Sequence, residues 1–359
     1  MSKCVINMLS RADSVQGHGV LSAYCEQVAL VSEGLSDDFC VVENSLRRSN
    51  ILHIHTVNLR FWARCFFKRP SIASVGYVHF IPETLDKSIK LPPVIKDIFY
   101  WYVVRFYKRM DYLVTVNPCF IDKLVDLGIE RSKITYIPNF VSDKRFYAVS
   151  ADAKKELRKK YHLNSEGFVV LSVGQLQKRK GVFEFIELAK EMPEVTFLWA
   201  GGFSFGKMSD GYEEIQKILD NPPANVIFMG LVPREQMNEV YNLADVLFQP
   251  SFDELFPMTT LESMCVGLPL LLRDLDLYKD ILFDYYLRGN TTAEFKQLLT
   301  ELMDPENYKK ASALSKEGHR FYSRESVLAM WQAYYEGVYE DCRQISLQTF
   351  RMKLKRRFT

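Results

Sequence analysis

Residues 249–267 read QPSFDELFPMTTLESMCVG. The run VLFQ at 246–249 leads into them, short and unbroken, as a strand covered on both faces would be. A loop with two acids follows, Asp253 and Glu254, and then Pro257, whose fixed φ and missing N–H suit the start of a helix. The helical pattern runs on to Gly267, with Glu262 about two turns in. Strand, loop and helix in that order put the first free N–H groups of the helix, those of Met258 and Thr259, at the carboxyl end of a sheet. Open α/β sheets bind ligands there, and a helix N-terminus favours phosphate. Glu254 and Glu262 then meet one ligand from its two ends. A carboxylate that accepts two vicinal hydroxyls suits a sugar or a ribose.

Outward from this segment, further apolar runs at 169–173, 195–200, 226–229 and 269–272 alternate with helical patterns at 181–191, 234–244 and 259–266. An earlier set of strands is expected at 4–9, 51–55, 74–79, 112–116 and 133–137, with a helix at 21–34. Strand–helix alternation with apolar strands predicts an α/β chain of two doubly wound parallel sheets. The length of 359 residues suits two cores. The charged stretch SDKRFYAVSADAKKELRKKYHLNSEG precedes the fresh buried run FVVLSVG and marks the boundary. The expected organisation is a first domain at 1–145, a linker at 146–166, a second domain at 167–325, and a closing helix with a basic tail at 326–359. A formal charge of +2 lacks the basic excess of a nucleic-acid binder. Seven scattered cysteines with no CxxC pair suit a reducing compartment. The N-terminal apolar run is too short for a signal peptide, and no stretch reaches the ~18 apolar residues of a spanning helix.

The E-x7-E spacing of Glu254 and Glu262 within PSFDELFPMTTLESMCVGLP resembles the retaining glycosyltransferases of the two-Rossmann GT-B fold, and among them family 4. LSVGQLQKRKGVFEFIELAKEMPEVTFLWAGG and NVIFMGLVPREQMNEVYNLADVLFQPS extend the likeness through the second half. The first half matches more loosely, through QGHGV, HIHTVN, YVHF and IPNFVS. The resemblance implies facing domains, a cleft between them, and a C-terminal helix crossing back to the first. It implies that Glu262 holds the ribose, that Glu254 holds a hydroxyl of the transferred sugar, and that Lys180 neutralises the donor diphosphate. It further implies that Gly17 and Gly19 let a loop approach the donor, that His79 stands at the reacting centre, and that Asn139 lies at the hinge. Arg179, Gly202, Phe256, Met258 and Thr259 complete the expected donor pocket. The family usually has Arg where this chain has Gln175, and Arg179 is the expected substitute. The usual glycine-rich loop is replaced by LLLRDLDLYKDIL. Within it Asp274-Leu275-Asp276 spells a metal-binding triplet of another fold. Here Lys180 and the helix N-terminus already answer the diphosphate, so no metal or other cofactor is expected beyond a UDP-hexose co-substrate. His53 and His55 read first as strand-end structure.

Two first-half segments interleave aromatic and basic residues. RFWARCFFKR places Arg60, Arg64 and Lys68 on one side of a helix and Trp62 and Phe66 mostly on another. KDIFYWYVVRFYKRM repeats the theme with Trp101, Arg105, Lys108 and Arg109, and the tail FRMKLKRRFT adds more cations. Such helices lie on anionic membranes, which predicts a peripheral protein at the cytoplasmic face of the cell membrane. This face, with the stretch RDLDLYKDILFDYYLRGNTTAEF, resembles the bacterial glucosyl-diacylglycerol synthases. The resemblance implies α-linked transfer from UDP-galactose, or UDP-glucose, to glucosyl-diacylglycerol. A capsule or wall polysaccharide transferase with a lipid-linked acceptor would use the same face. A catalytically inactive partner subunit would fit the missing arginine at Gln175.

Overall fold

The computed structural model describes residues 3–12, 19–82, 92–203, 206 and 209–355. One six-stranded sheet holds β1 (Cys4–Leu9), β2 (Phe39–Glu43), β3 (Ile51–Ile54), β4 (Ala73–Val78), β5 (Tyr112–Thr115) and β6 (Ile134–Tyr136), in the order β2-β1-β3-β4-β5-β6. The other holds β7 (Val169–Val173), β8 (Thr196–Ala200), β9 (Val226–Gly230), β10 (Val246–Gln249), β11 (Leu270–Arg273) and β12 (Leu287–Gly289), in the order β12-β11-β10-β7-β8-β9. Every neighbouring pair is parallel. The strand order reverses between β1 and β3 in one sheet and between β7 and β10 in the other, which opens a crevice at the carboxyl ends of each. This is the α/β, two-Rossmann arrangement the sequence led us to expect.

The central strands are the runs expected from apolar content, because strands covered on both faces have no polar side to show. β2 and β12 escaped that reading. Both are edge strands, FCVVE is half-exposed along its length, and LRG is three residues long. The charged stretch read as a linker also differs from expectation. It contains the helix Ala151–Lys160, which docks onto the second half. Arg158 is buried there and donates to the carbonyls of Leu243, Ser165 and Gly167 and to the Asp245 carboxylate. A run of lysines and arginines with one buried, fully employed guanidinium is a packed helix that exposes its other cations.

The last helix, Arg324–Lys355, returns to the first half. Its Trp331 and Tyr335 are buried against His53 of β3, with the Tyr335 hydroxyl 2.7 Å from His53 Nδ1. The His55 ring lies 4.4 Å from His53 and 4.9 Å from Tyr24, both centroid to centroid. Among the described residues, His53 Nε2 and both ring nitrogens of His55 have no hydrogen-bond partner. Burial, reinforced by the neighbouring imidazoles, pushes His53 down to about 3 and His55 well below the usual histidine value of 6.5. Both stay neutral when folded and bind protons when unfolded. Their stabilisation is therefore whole above about pH 6.5 and declines as the pH falls toward the folded values, by up to about 1.4 kcal/mol per pH unit for each ring. Thermal melts between about pH 7 and 5 should show this fall, and His55→Phe, which has no proton to gain, should remove one ring's share of it.

Candidate active site

The carboxyl ends of β7 and β10 deliver the two halves of the site. After β7 a tight turn over Lys178–Lys180 is closed by Gly181 at φ 76°. A Cβ on Gly181 would lie 2.6 Å from the Pro250 carbonyl oxygen, so only glycine lets the basic turn lie against the end of β10. The Phe252 N–H donates to the Arg179 carbonyl at 2.8 Å, tying the acidic loop to the basic turn. Lys180 Nζ stands 2.5 Å from Glu254 Oε1, with the two side chains 14% and 6% exposed. Burial alone would raise Glu254, but the Lys180 and Arg179 cations outweigh it and hold the carboxyl below its usual value. Burial lowers Lys180 in turn, against the pull of Glu254. We take the pair as ionised, since each charge is the other's main compensation. Arg179 reaches the Asp253 carbonyl at 3.2 Å and Gln177 Oε1 at 2.9 Å, so it sits beside the pair and is partly employed in holding the loop.

The helix Met258–Val266 starts after Pro257; the Thr260 N–H bonds back to the Pro257 carbonyl at 3.2 Å, and those of Met258 and Thr259 have no carbonyl to meet within the helix. Thr259 Oγ1 bonds to Gln249 Oε1 at 3.1 Å. The Met258 N–H is the group expected to meet the donor, and the side chains of Phe256 and Met258 turn elsewhere. Both are buried in the core, and Phe256 lies against the Tyr322 ring, so only their backbones remain for a ligand. An apolar side chain beside a helix start gains more from the core than from a phosphate. Two asparagines of the first half grip this loop by its carbonyls: Asn117 donates to Leu255 at 2.9 Å and Asn139 to Phe256 at 3.3 Å. Asn139 thus joins the halves beside Glu254, and Asn117 was not anticipated.

Glu262 is 4% exposed. Its Oε1 accepts from Arg234 at 2.8 Å and its Oε2 from the Tyr241 hydroxyl at 2.5 Å. Arg234 and Tyr241 escaped the sequence reading because nothing in the spacing of PREQMNEVY marks them as its partners. Among the glycines, Gly202 has room for a Cβ with modest adjustment, 3.2 Å from Leu231. The adjacent Gly201 is the constrained one, since its Cβ would fall 1.9 Å from the Gly174 carbonyl oxygen. His79 lies just beyond β4, buried, its ring 4.3 Å from Tyr77 and 6.0 Å from His55. Gly19 begins the helix Gly19–Gly34, and Gly17 lies outside the described residues. Asp276 is 97% exposed and pairs with Lys279 at 2.7 Å, while Asp274 accepts from Tyr286, so the two acids do not converge.

The aromatic-basic segments divide. On the helix Leu59–Phe66, Arg60 and Phe66 are exposed. Trp62 instead turns inward onto the Phe66 and Tyr102 rings. Arg64 bonds to the Ser45 carbonyl at 2.9 Å, and Lys68 pairs with Asp111 at 2.7 Å and is 10% exposed. On the helix Pro93–Arg109, Arg109 bonds to the Cys65 carbonyl and covers the Phe66 ring. Trp62 and Arg109 are therefore used in packing these helices together, and Arg64 and Lys68 in tying the first of them and its C-terminal end to neighbouring loops, which their alternating pattern could not reveal. Trp101, Arg105 and Lys108 remain exposed and join Pro82, Tyr100 and Val104 in lining a groove of about 450 Å3. Val94, Ile95 and Ile98 of the same helix are also exposed. The basic tail's side chains from 348 onward lie outside the description, and no described helix is long and apolar enough to cross a membrane.

Residues 153–321 match the glycosyl transferases group 1 family and residues 41–145 match glycosyltransferase family 4. The alpha-galactosylglucosyldiacylglycerol synthase of Streptococcus pneumoniae is 44% identical, over 93% of this chain and 90% of the relative. The processive diacylglycerol alpha-glucosyltransferase of Acholeplasma laidlawii is 29% identical, over 63% of this chain and 67% of the relative. The solved structure of Anabaena HepE in complex with UDP and glucose shares the fold at a TM-score of 0.71 and 14% identity, covering 93% of this chain and 98% of that one. With two parallel sheets, a buried lysine–glutamate pair at the mouth of the second, and matches along both halves, the chain belongs to the GT-B glycosyltransferases of family 4, group 1.

Proposed function

We propose that this glycosyltransferase moves galactose, or glucose, from its UDP donor to glucosyl-diacylglycerol at an anionic membrane surface. The α-configuration is retained, and the product is a dihexosyl-diacylglycerol. The observation that carries the reading is the buried Lys180–Glu254 pair beside the start of the helix Met258–Val266. A diphosphate that enters there meets the helix N–H groups and the protons Lys180 has left over, while Glu254 keeps oxygen lone pairs for a sugar hydroxyl. Charge that builds on the leaving phosphate is met by a cation already fixed in place. Among the described residues this assignment gives no second carboxylate the role of nucleophile, so the leaving phosphate takes the proton of the incoming hydroxyl on the same face, with His79 bordering that face. Glu262 holds the ribose, and Arg179 supplies the second positive charge that Gln175 does not.

The acceptor side is supported by the likeness to the pneumococcal and Acholeplasma lipid glycosyltransferases. It is also supported by the groove that Trp101, Arg105 and Lys108 line next to Pro82, three residues beyond His79. Exposed Val94, Ile98 and Trp101 supply apolar contact, and Arg105 and Lys108 supply charge for anionic headgroups. Replacing Trp101 by Ala and Lys108 by Glu together should weaken co-sedimentation with anionic vesicles about tenfold or more and leave UDP binding unchanged.

The deciding assay supplies UDP-galactose or UDP-glucose with anionic vesicles that carry glucosyl-diacylglycerol, and reads the product by mass and anomeric NMR. An α-linked dihexosyl lipid supports the proposal. A β-linked product refutes retention. UDP release without a lipid product moves the acceptor to a lipid-linked polysaccharide intermediate. Neither product nor UDP points to the inactive partner subunit.

A further inference from the structure

We infer that Arg234 is a positioning residue that ties the ribose-binding carboxylate to the first half of the molecule, so that nucleotide affinity depends on how the two halves meet. The inference rests on the proposed role of Glu262. Arg234 begins the short turn Arg234–Gln236 after β9. One guanidinium nitrogen reaches Glu262 Oε1 at 2.8 Å and Ser22 Oγ at 3.0 Å, and another reaches Glu26 Oε1 at 2.8 Å. Ser22 and Glu26 lie on the helix Gly19–Gly34 of the first half, whereas Glu262 lies on the helix Met258–Val266 of the second. Glu26 also accepts from Arg145 at 3.0 Å and from the Ser142 N–H at 3.1 Å, both on the segment that joins the halves.

The side chains of Glu26 and Glu262 are 2% and 5% exposed, and Arg234 is 24% exposed. Burial opposes the charge on Arg234, but the two carboxylates outweigh it and keep it cationic. Two buried carboxylates that share one guanidinium must keep their spacing, because Glu262 would otherwise lose its cation and Glu26 one of its two. Glu262 is also held from its far side by the Tyr241 hydroxyl. Each of its oxygens thus spends one lone pair on a fixed donor and keeps another for a diol hydroxyl, which sets the carboxylate's orientation before the nucleotide arrives. If the halves separate, Arg234 must leave either Glu26 or Glu262. Leaving Glu262 takes away its cation and disorders the ribose contact, and leaving Glu26 leaves that buried carboxylate with Arg145 as its remaining cation. Ordering of the ribose contact and approach of the halves therefore favour each other, and by linkage UDP should draw the halves together.

The test is a double-mutant cycle on UDP affinity, measured by calorimetry on the full chain, with Glu26→Gln, Arg234→Gln and the pair. Glu26 touches no part of the proposed nucleotide position, yet Glu26→Gln is expected to weaken UDP about fivefold or more, and to add little once Arg234 is Gln. In transfer assays the loss should fall on KM for the donor more than on kcat. Arg234→Lys, which keeps a charge but has a single nitrogen, should resemble Arg234→Gln and guards against misfolding of the neutral variant. Small-angle scattering should show the native chain compacting with UDP and the Glu26→Gln chain compacting less. Unchanged UDP affinity in Glu26→Gln, or additive effects of Glu26→Gln and Arg234→Gln, would overturn the inference. Unchanged UDP affinity in Glu262→Ala would instead remove the ribose role beneath it.

Discussion

Replacing Lys180 by alanine should lower sugar transfer about 100- to 1,000-fold and destabilise the fold by about 3–5 kcal/mol. The two losses have different sources. On the proposed role of Lys180, transfer fails because the cation fixed next to the departing phosphate is gone. Stability falls because Glu254, 6% exposed, is left with its charge buried and its 2.5 Å partner removed. The pair can therefore be dissected. Lys180→Met combined with Glu254→Gln removes both charges, and should recover most of the stability while transfer stays lost. The pH response provides a second check. Glu254 is held below its usual value in the native chain, so its contribution is present at neutral pH and lost as the pH falls through the carboxylate range. In Lys180→Ala the same carboxyl keeps only Arg179 and the Ser251 hydrogen bond against burial, so the loss of stability in acid should shrink. Denaturant titrations at two pH values, run beside donor turnover, read out all of this.

Gly201→Ala should cost on the order of 3–5 kcal/mol and reduce the yield of folded protein sharply. Gly201 sits at φ 143°, and an added Cβ would fall 1.9 Å from the Gly174 carbonyl oxygen. That carbonyl cannot easily retreat, since it accepts from the buried Trp199 indole at 3.0 Å. The Gly174 N–H is also engaged, to the Ala200 carbonyl at 3.0 Å. The two glycines let the ends of β7 and β8 close on each other directly below the basic turn. Gly230→Ala is the control. It too has positive φ, at 68°, but its Cβ would meet nothing within 4 Å, so it should cost only about 1–2 kcal/mol of backbone strain. Thermal melts of the two variants separate steric exclusion from strain.

Both halves were legible in the sequence for a physical reason: buried parallel strands must be apolar throughout, so VVLSV and VLFQ announce themselves. Lys180 and Glu254 were legible as neighbours because the loops after adjacent strands are short, and the folded chain sets them 2.5 Å apart, with Glu262 on the helix that follows. What stayed hidden was partnership. Nothing local distinguishes Arg234 from any arginine after a proline, or Glu26 from any helical glutamate, until the folded chain sets them 2.8 Å apart across 208 residues of sequence. The aromatic-basic helices erred in the opposite direction. Their pattern identified amphipathic segments, but it could not tell Trp101, which faces out, from Trp62, which faces in. Phe256 and Met258 stood beside the right helix start and still gave their side chains to the core.

The returning helix Arg324–Lys355 has a consequence for how the chain is made. Its Tyr335 bonds Gln27 across 308 residues and His53 across 282, and with Trp331 it covers the inner face of the first sheet. The first sheet emerges from the ribosome before the second but lacks this cover until residues 331–335, beyond both sheets, have been synthesised. Meanwhile the histidine-lined strand ends wait with apolar neighbours uncovered, a state prone to aggregation. Synthesis should thus be the vulnerable stage, and a stop codon near position 323 should yield a chain that a chaperone retains, even though both sheets are already encoded.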